Sequence, residues 1–201
     1  MSGELLIAAT GAGAALIGGI TGGLVTGSFE YFQQKRTRPR LKLDYVGGQA
    51  NKVESTFESN KLTVTEIFIR ARLRNTGIKV ARDCRVYLID IKEVDHTSTH
   101  ETSFHDSMVV AWPGWPEDFD ARVIPRGIDA YVNVVSVRKN EAGWRFHVKN
   151  LFASQQALKG YSGTYRLTLL ATADNADPVE LKIDVTYNQD WHSLRAVSFS
   201  G

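Results

Sequence analysis

Apolar and polar residues alternate along most of the chain from residue 41 onward. A period of two is typical of strands that bury one face, and Ile67, Ile69, Ala71 and Leu73 illustrate it, with arginines between the last three. The pattern therefore predicts strands rather than helices over most of this region. The predicted strands cover residues 41–45, 67–73, 84–88, 131–137, 144–148, 165–171 and 181–187.

Turn signals separate these runs. Gly47-Gly48 follows the first run, Asn75-Thr76-Gly77 follows the second, and residues 174–178 join the last two as a hairpin. Residues 150–159 are expected to form one short helical connection. Seven or eight short strands separated by turns predict a mainly β fold, an antiparallel β-sandwich.

Two segments carry a likeness to a known architecture. "FIRARLRNTGIKVARDCRVYL" (residues 68–88) resembles the second and third strands of immunoglobulin-like domains of the CARDB type, where a strand ends in an Asn-x-Gly turn. "GYSGTYRLTLLATADN" (residues 160–175) is similar to the penultimate strand, with Tyr165 in the place of a corner tyrosine. The resemblance covers about residues 41 to 190 and implies an immunoglobulin-like β-sandwich, but it transfers no functional residue.

The N-terminal segment has a different pattern. No ionisable side chain occurs between Glu4 and Glu30, and a helix of those 25 residues would be about 37 Å long. That length crosses a hydrocarbon core of about 30 Å. We therefore expect a transmembrane helix in residues 1–34, a basic juxtamembrane linker in residues 35–40 and a β-sandwich domain in residues 41–201.

Small residues recur at intervals of four within the predicted span. Residues four apart share a helix face, and rows of small residues let membrane helices approach closely. The row resembles the glycine zipper of oligomeric membrane proteins, some of which form channels. It predicts a homo-oligomer or a contact with a partner helix, and the alternative is an anchor whose glycines pack against nothing in particular. The row consists of Gly11, Ala15, Gly19, Gly23 and Gly27.

Aromatic and basic residues follow the span and predict its orientation. Aromatic side chains favour the membrane interface, and basic residues favour the cytoplasmic side. The leader Met-Ser-Gly-Glu is acidic, which argues against a cleaved secretory signal. We expect a single-pass protein of the cell (inner) membrane, with its N-terminus outside and the C-terminal domain in the cytoplasm. The interfacial residues are Phe29, Tyr31, Phe32, Lys35, Arg36, Arg38 and Arg40.

Composition narrows the function classes. The net charge of +2 does not indicate a nucleic-acid partner, and the single cysteine, Cys84, excludes an intrachain disulfide. The sequence contains no nucleophile elbow, phosphate-binding loop or dinucleotide fingerprint. We therefore expect no catalytic residues, no cofactor and a non-enzymatic protein.

Histidines provide a weak candidate for a metal site. His96 and His100 are four apart and His105 follows, within a segment rich in serine and threonine. Such spacing can serve a metal, but a solvated loop between strands is the better interpretation. His147 and His192 are isolated and are expected to be structural.

Two tryptophans and one arginine stripe are candidates for contacts. Trp112 and Trp115 flank a Pro-Gly turn, where they either contact a partner or cap the open end of the sandwich. We favour capping, because large aromatic side chains usually bury most of their area.

A basic stripe would be formed by Arg70, Arg72 and Arg74. We interpret it as a solvated sheet face that could also meet lipid headgroups or an acidic partner.

Taken together, these patterns predict a membrane-anchored β-sandwich that acts as an interaction or sensor module. Its expected partners are the lipid bilayer and a protein or ligand bound by the sandwich. The first alternative is an oligomeric pore or membrane-disrupting effector assembled through the glycine row. The second is a metal-dependent activity at the histidine loop.

Overall fold

The computed structural model describes residues 36–49, 51–59, 62–95, 97–114, 117–141, 143–149 and 162–199. The predicted transmembrane segment with its glycine row lies outside the described residues, as does the predicted helix at 150–159. The chain divides into two units, residues 1–38 and residues 39–201. Within the part of the chain that is described, no helix has the length and apolar character needed to span a membrane.

The second unit is mainly β, as the alternating pattern predicted. Each of the seven predicted runs lies wholly or mostly in a strand, and the remaining strands are short or lie at sheet edges. The described strands are β1 (Leu41–Asp44), β2 (Lys52–Ser59), β3 (Leu62–Asn75), β4 (Ala81–Val94), β5 (Thr99–Glu101), β6 (Met108–Val109), β7 (Arg122–Ile124), β8 (Asp129–Arg138), β9 (Trp144–Phe146), β10 (Gly163–Ala173), β11 (Ala176–Tyr187) and β12 (Arg195–Phe199).

The strands form two antiparallel sheets, an arrangement compatible with a β-sandwich. The five-stranded sheet has the order β1-β3-β8-β9, and β2 also pairs with β3. The seven-stranded sheet has the order β12-β11-β10-β4-β5, and β6 and β7 also pair with β4. The predicted hairpin is present, because β10 and β11 pair from Gly163 with Tyr187 to Ala173 with Ala176.

One hydrophobic cluster contains side chains from both sheets. Ile69 and Leu73 of β3 belong to it together with Leu167 and Leu169 of β10, and all four are fully buried. Because successive side chains of a strand point to opposite faces, Glu66 and the three arginines of β3 lie on the face of the five-stranded sheet away from this core. We call this the outer face.

The segment after β6 connects the two sheets along one edge. β6 pairs with β4, and single bridges then join Val110 to Val148 and Ala111 to Asn133. A further bridge joins Trp112 to Asp118. This connection brings Gly114 and Glu117 beside the outer face, where they form one wall of the site described next.

Candidate functional site

A β-bulge determines which side chains share the outer face. Ile69 of β3 pairs with Val135 of β8, but the next residue, Arg70, pairs with Asn133, so Val134 is an extra residue in β8. Asn133 and Ser136 consequently share a face although they are three residues apart, a spacing that a regular strand does not allow.

A cavity of about 230 Å³ lies over this part of the outer face. Strands β2, β3 and β8 contribute to its lining, together with Gly114, Glu117, Arg145 and His147. The lining combines two phenylalanines with three arginines, two glutamates and one histidine. The lining residues are Ser55, Phe57, Glu66, Phe68, Arg70, Gly114, Glu117, Asn133, Arg138, Arg145 and His147.

Three buried polar groups and one exposed glutamate are linked in a chain of hydrogen bonds along the cavity. Glu117 Oε1 lies 2.6 Å from His147 Nδ1, and His147 Nε2 lies 2.7 Å from Ser136 Oγ. Ser136 is also hydrogen-bonded to Glu66, whose Oε2 accepts from Arg138 Nε at 3.3 Å. The exposed fractions of Glu66, Ser136 and His147 are only 2%, 0% and 4%, whereas the side chain of Glu117, at the end of the chain of hydrogen bonds, is 37% exposed. We call these four residues, Glu117, His147, Ser136 and Glu66, the buried network.

The buried network places one imidazole between two carboxylates. His147 Nδ1 is bound to Glu117, and His147 Nε2 lies 3.9 Å from Glu66 Oε1. The hydrogen bond to His147 lowers the pKa of Glu117, against the opposing effect of burial.

The order carboxylate, histidine, serine is that of a catalytic triad, but the serine is not placed for catalysis. A nucleophilic serine must reach a substrate and pass its proton to the histidine. Ser136 is fully buried, does not line the cavity, and has a carboxylate as its second partner. The buried network therefore holds cavity side chains in place and offers no accessible nucleophile.

Two arginines of the stripe are paired with aspartates, and the third is bound to an asparagine. Arg72 binds Asp44 through two hydrogen bonds of 2.8 and 2.9 Å, and Arg74 is hydrogen-bonded twice to Asp129. Arg70 instead donates from Nε to Asn133 Oδ1 at 2.8 Å, and its guanidinium lies 5.4 Å from the centre of the Phe68 ring. Burial lowers the pKa of Arg70. The solvated face that the sequence predicted is therefore an ion-paired face with one arginine in the cavity.

The histidine loop is only partly described. The predicted loop is partly a strand, because His100 lies in the short exposed strand β5. His100 Nε2 lies 3.0 Å from Asp95 Oδ2, His105 is exposed, and His96 lies outside the described residues. Among the described residues, no group of three histidine, cysteine or acidic side chains could hold a metal ion.

Of the two tryptophans flanking the Pro-Gly turn, the structure describes only Trp112. Trp112 is fully buried, and its Nε1 donates to the carbonyl oxygen of Asp120 at 2.7 Å. It belongs to the hydrophobic core cluster. Trp115 lies outside the described residues.

Residues predicted at the membrane are mostly outside the described part of the chain. The structure describes Arg36, Arg38 and Arg40, and all three are exposed. Phe29, Tyr31, Phe32 and Lys35 lie outside it, as do Gly11, Ala15, Gly19, Gly23 and Gly27.

Sequence reasoning missed the buried network. His147 was expected to be an isolated structural histidine, and Glu66 and Ser136 were not singled out. A partial signal exists, because Glu66 and His147 occupy the polar phase of alternating runs, where arginines dominate. The alternation does not show which of these polar residues are covered by a neighbouring segment of the chain.

No protein-family model, curated protein or solved structure matches the chain. The function of the cavity is therefore inferred from its own residues.

Proposed function

We propose that this protein is a membrane-anchored, non-enzymatic module whose immunoglobulin-like β-sandwich binds a small ligand in the cavity on its outer face. The cavity is the observation that carries the proposal. Glutamate is rarely buried unless it is paired, and here Glu66 is buried, together with His147, beside a space that no described side chain fills. Concave sites with apolar walls and a few fixed polar groups are typical of ligand binding.

Binding is favoured over catalysis by the state of the polar groups. Each member of the buried network already has its hydrogen-bond partners, and the serine is covered. A site that binds needs rigid, preorganised side chains, whereas a nucleophilic site needs an accessible oxygen. The network supports the first requirement.

The membrane anchor is proposed from the sequence pattern. The uncharged stretch before Glu30 and the basic residues after it support an inner-membrane span with the domain in the cytoplasm. The bilayer would then be one partner and the cavity ligand the other.

The proposal is tested with the full-length chain in detergent and a set of small metabolites that are anionic, neutral or cationic. Ser55 lines the cavity, so Ser55→Trp should fill it, while Thr56→Trp places the same bulk on an exposed neighbour outside the cavity lining. We expect at least one compound to raise the melting temperature of the wild type and of Thr56→Trp but not of Ser55→Trp. Equal shifts in both variants, or no shift with any compound, would contradict ligand binding in the cavity.

A second candidate function is an oligomeric pore or membrane-disrupting effector. The spacing of Gly11, Ala15, Gly19, Gly23 and Gly27 supports it, because such rows permit close helix packing. Gly19→Leu and Gly23→Leu should abolish both crosslinked oligomers in membranes and ion leak from vesicles. An unchanged leak in these variants would exclude the pore.

A further inference from the structure

We propose that the cavity ligand is a small organic anion, a carboxylate or phosphate monoester carried on a flat apolar body, and that Arg70 contacts its anionic group. This inference rests on the proposed function, because it assumes that the cavity binds a ligand. It adds the chemical class of that ligand and the residue that recognises it.

Most charged side chains that line the cavity are already paired within the protein. Both lining carboxylates are already bound within the protein: Glu66 by Ser136 and Arg138, and Glu117 by His147. Arg138 and Arg145 each have a carboxylate partner in Glu141. Their charges are therefore largely balanced before any ligand arrives.

Arg70 differs from these arginines. Its Nε is bound to a neutral amide, and no carboxylate of the described residues lies within ion-pair distance. Its two terminal nitrogens, Nη1 and Nη2, donate to no acceptor in the described part of the chain. A guanidinium presents those donors in a planar fork that matches a carboxylate or phosphate.

The guanidinium of Arg70 is held in a fixed position by Asn133 and Phe68. Asn133 is 5% exposed, and its backbone N–H donates to the carbonyl oxygen of Ala111, which holds the amide in place. The amide binds Nε from one side while the Phe68 ring lies beneath the guanidinium. Asn133 is thus a positioning residue that occupies Nε and leaves the terminal nitrogens without an acceptor among the described residues.

The size and polarity of the cavity limit the kind of ligand that it can hold. A volume of about 230 Å³ corresponds to roughly eight water molecules at about 30 Å³ each. Phe57 and Phe68 supply apolar lining, which favours a flat hydrocarbon body over a strongly hydrated one. Benzoate and phenyl phosphate have the matching charge, shape and approximate size.

The test compares matched probes by titration calorimetry on the full-length chain in detergent. The probes are benzoate, phenyl phosphate, neutral benzyl alcohol and cationic benzylamine. Three variants separate the contribution of Arg70 from that of the fold. Arg70→Gln removes the charge, Asn133→Asp gives Arg70 a carboxylate partner with almost no change in shape, and Arg74→Gln removes an ion-paired arginine of the same stripe.

We expect an anionic probe to bind the wild type and Arg74→Gln equally, and to bind Arg70→Gln and Asn133→Asp about tenfold to a hundredfold more weakly. If Arg70→Gln fails to fold, Asn133→Asp decides. Comparable binding of benzyl alcohol, unchanged affinity in the variants, or no binding of either anion would overturn the inference. The metabolite screen distinguishes this failure from failure of the proposed function, which stands if a neutral or cationic compound occupies the cavity.

Discussion

Asn75 offers a strong test of how the end of the β domain is held together. It is the last residue of β3, is fully buried, and makes four side-chain hydrogen bonds to three different segments. Its Oδ1 accepts from the backbone N–H groups of Arg40 and Gly77 at 3.1 and 3.0 Å. Its Nδ2 donates to the carbonyl oxygens of Lys79 and Ile124 at 2.7 and 3.1 Å.

The expected effect of Asn75→Ala follows from these partners. The hydrogen bonds to Gly77 and Ile124 are buried, and leaving such a group unsatisfied costs about 1–3 kcal/mol each. The other two are partly buried, where water can substitute, and each contributes about 0.5–1 kcal/mol. We expect a loss of about 5 kcal/mol in the free energy of unfolding, a large part of the typical total for a domain.

Urea unfolding of the full-length chain, followed by tryptophan fluorescence, measures this loss. With a slope of about 2 kcal/mol per molar, the urea midpoint should fall by about 2.5 M, or the variant should be unfolded without urea. Asn175→Ala is the matched control, because Asn175 makes two exposed hydrogen bonds, to Arg82 and Val80, and should cost about 1 kcal/mol. Equal losses in the two variants would refute the proposed role of the buried amide.

Three further results are expected. The pKa of Asp44 is lowered, chiefly by its hydrogen bond with Arg72. The ionised carboxylate therefore stabilises the fold above its ordinary pKa of 3.8, and this stabilisation is lost as the pH falls toward the pKa in the folded protein. Asp44→Asn should consequently flatten the decline in melting temperature below about pH 4. Cys84 is fully buried and its pKa is raised to about 11, so it should resist a thiol reagent at pH 8 until urea unfolds the chain, and rapid labelling of folded protein would contradict its burial. Ser136→Ala should lower the free energy of unfolding by about 3 kcal/mol, because it leaves a buried carboxylate and imidazole without their shared partner. In the same urea assay, Ser198→Ala should cost less than about 1 kcal/mol, and equal costs would contradict a stabilising role for the buried network.

Several parts of the fold could be predicted from the sequence because they depend on local patterns. A strand with one buried face shows its period of two directly, as β3 does from Ile67 to Leu73. The hairpin of β10 and β11 needs only two such runs and a turn between them. The edge strand β2 was missed because its side chains are exposed or half-buried, so no buried face appears in its pattern. Strands β5, β6 and β7 have three residues or fewer, too short to show a period.

The candidate site depended on tertiary structure. Arg70, Arg72 and Arg74 are equivalent in the sequence, but the strands beside β3 give the last two aspartates and give Arg70 an asparagine. The partners in the buried network are up to 70 positions apart, as for Glu66 and Ser136. A bulge at Val134 and the position of Glu117 beside the outer face decide which of these polar groups share one cavity. The sequence alone therefore determined the strands that bury one face, since alternation reports burial along one segment. Register and bulges between distant segments decided which side chains meet.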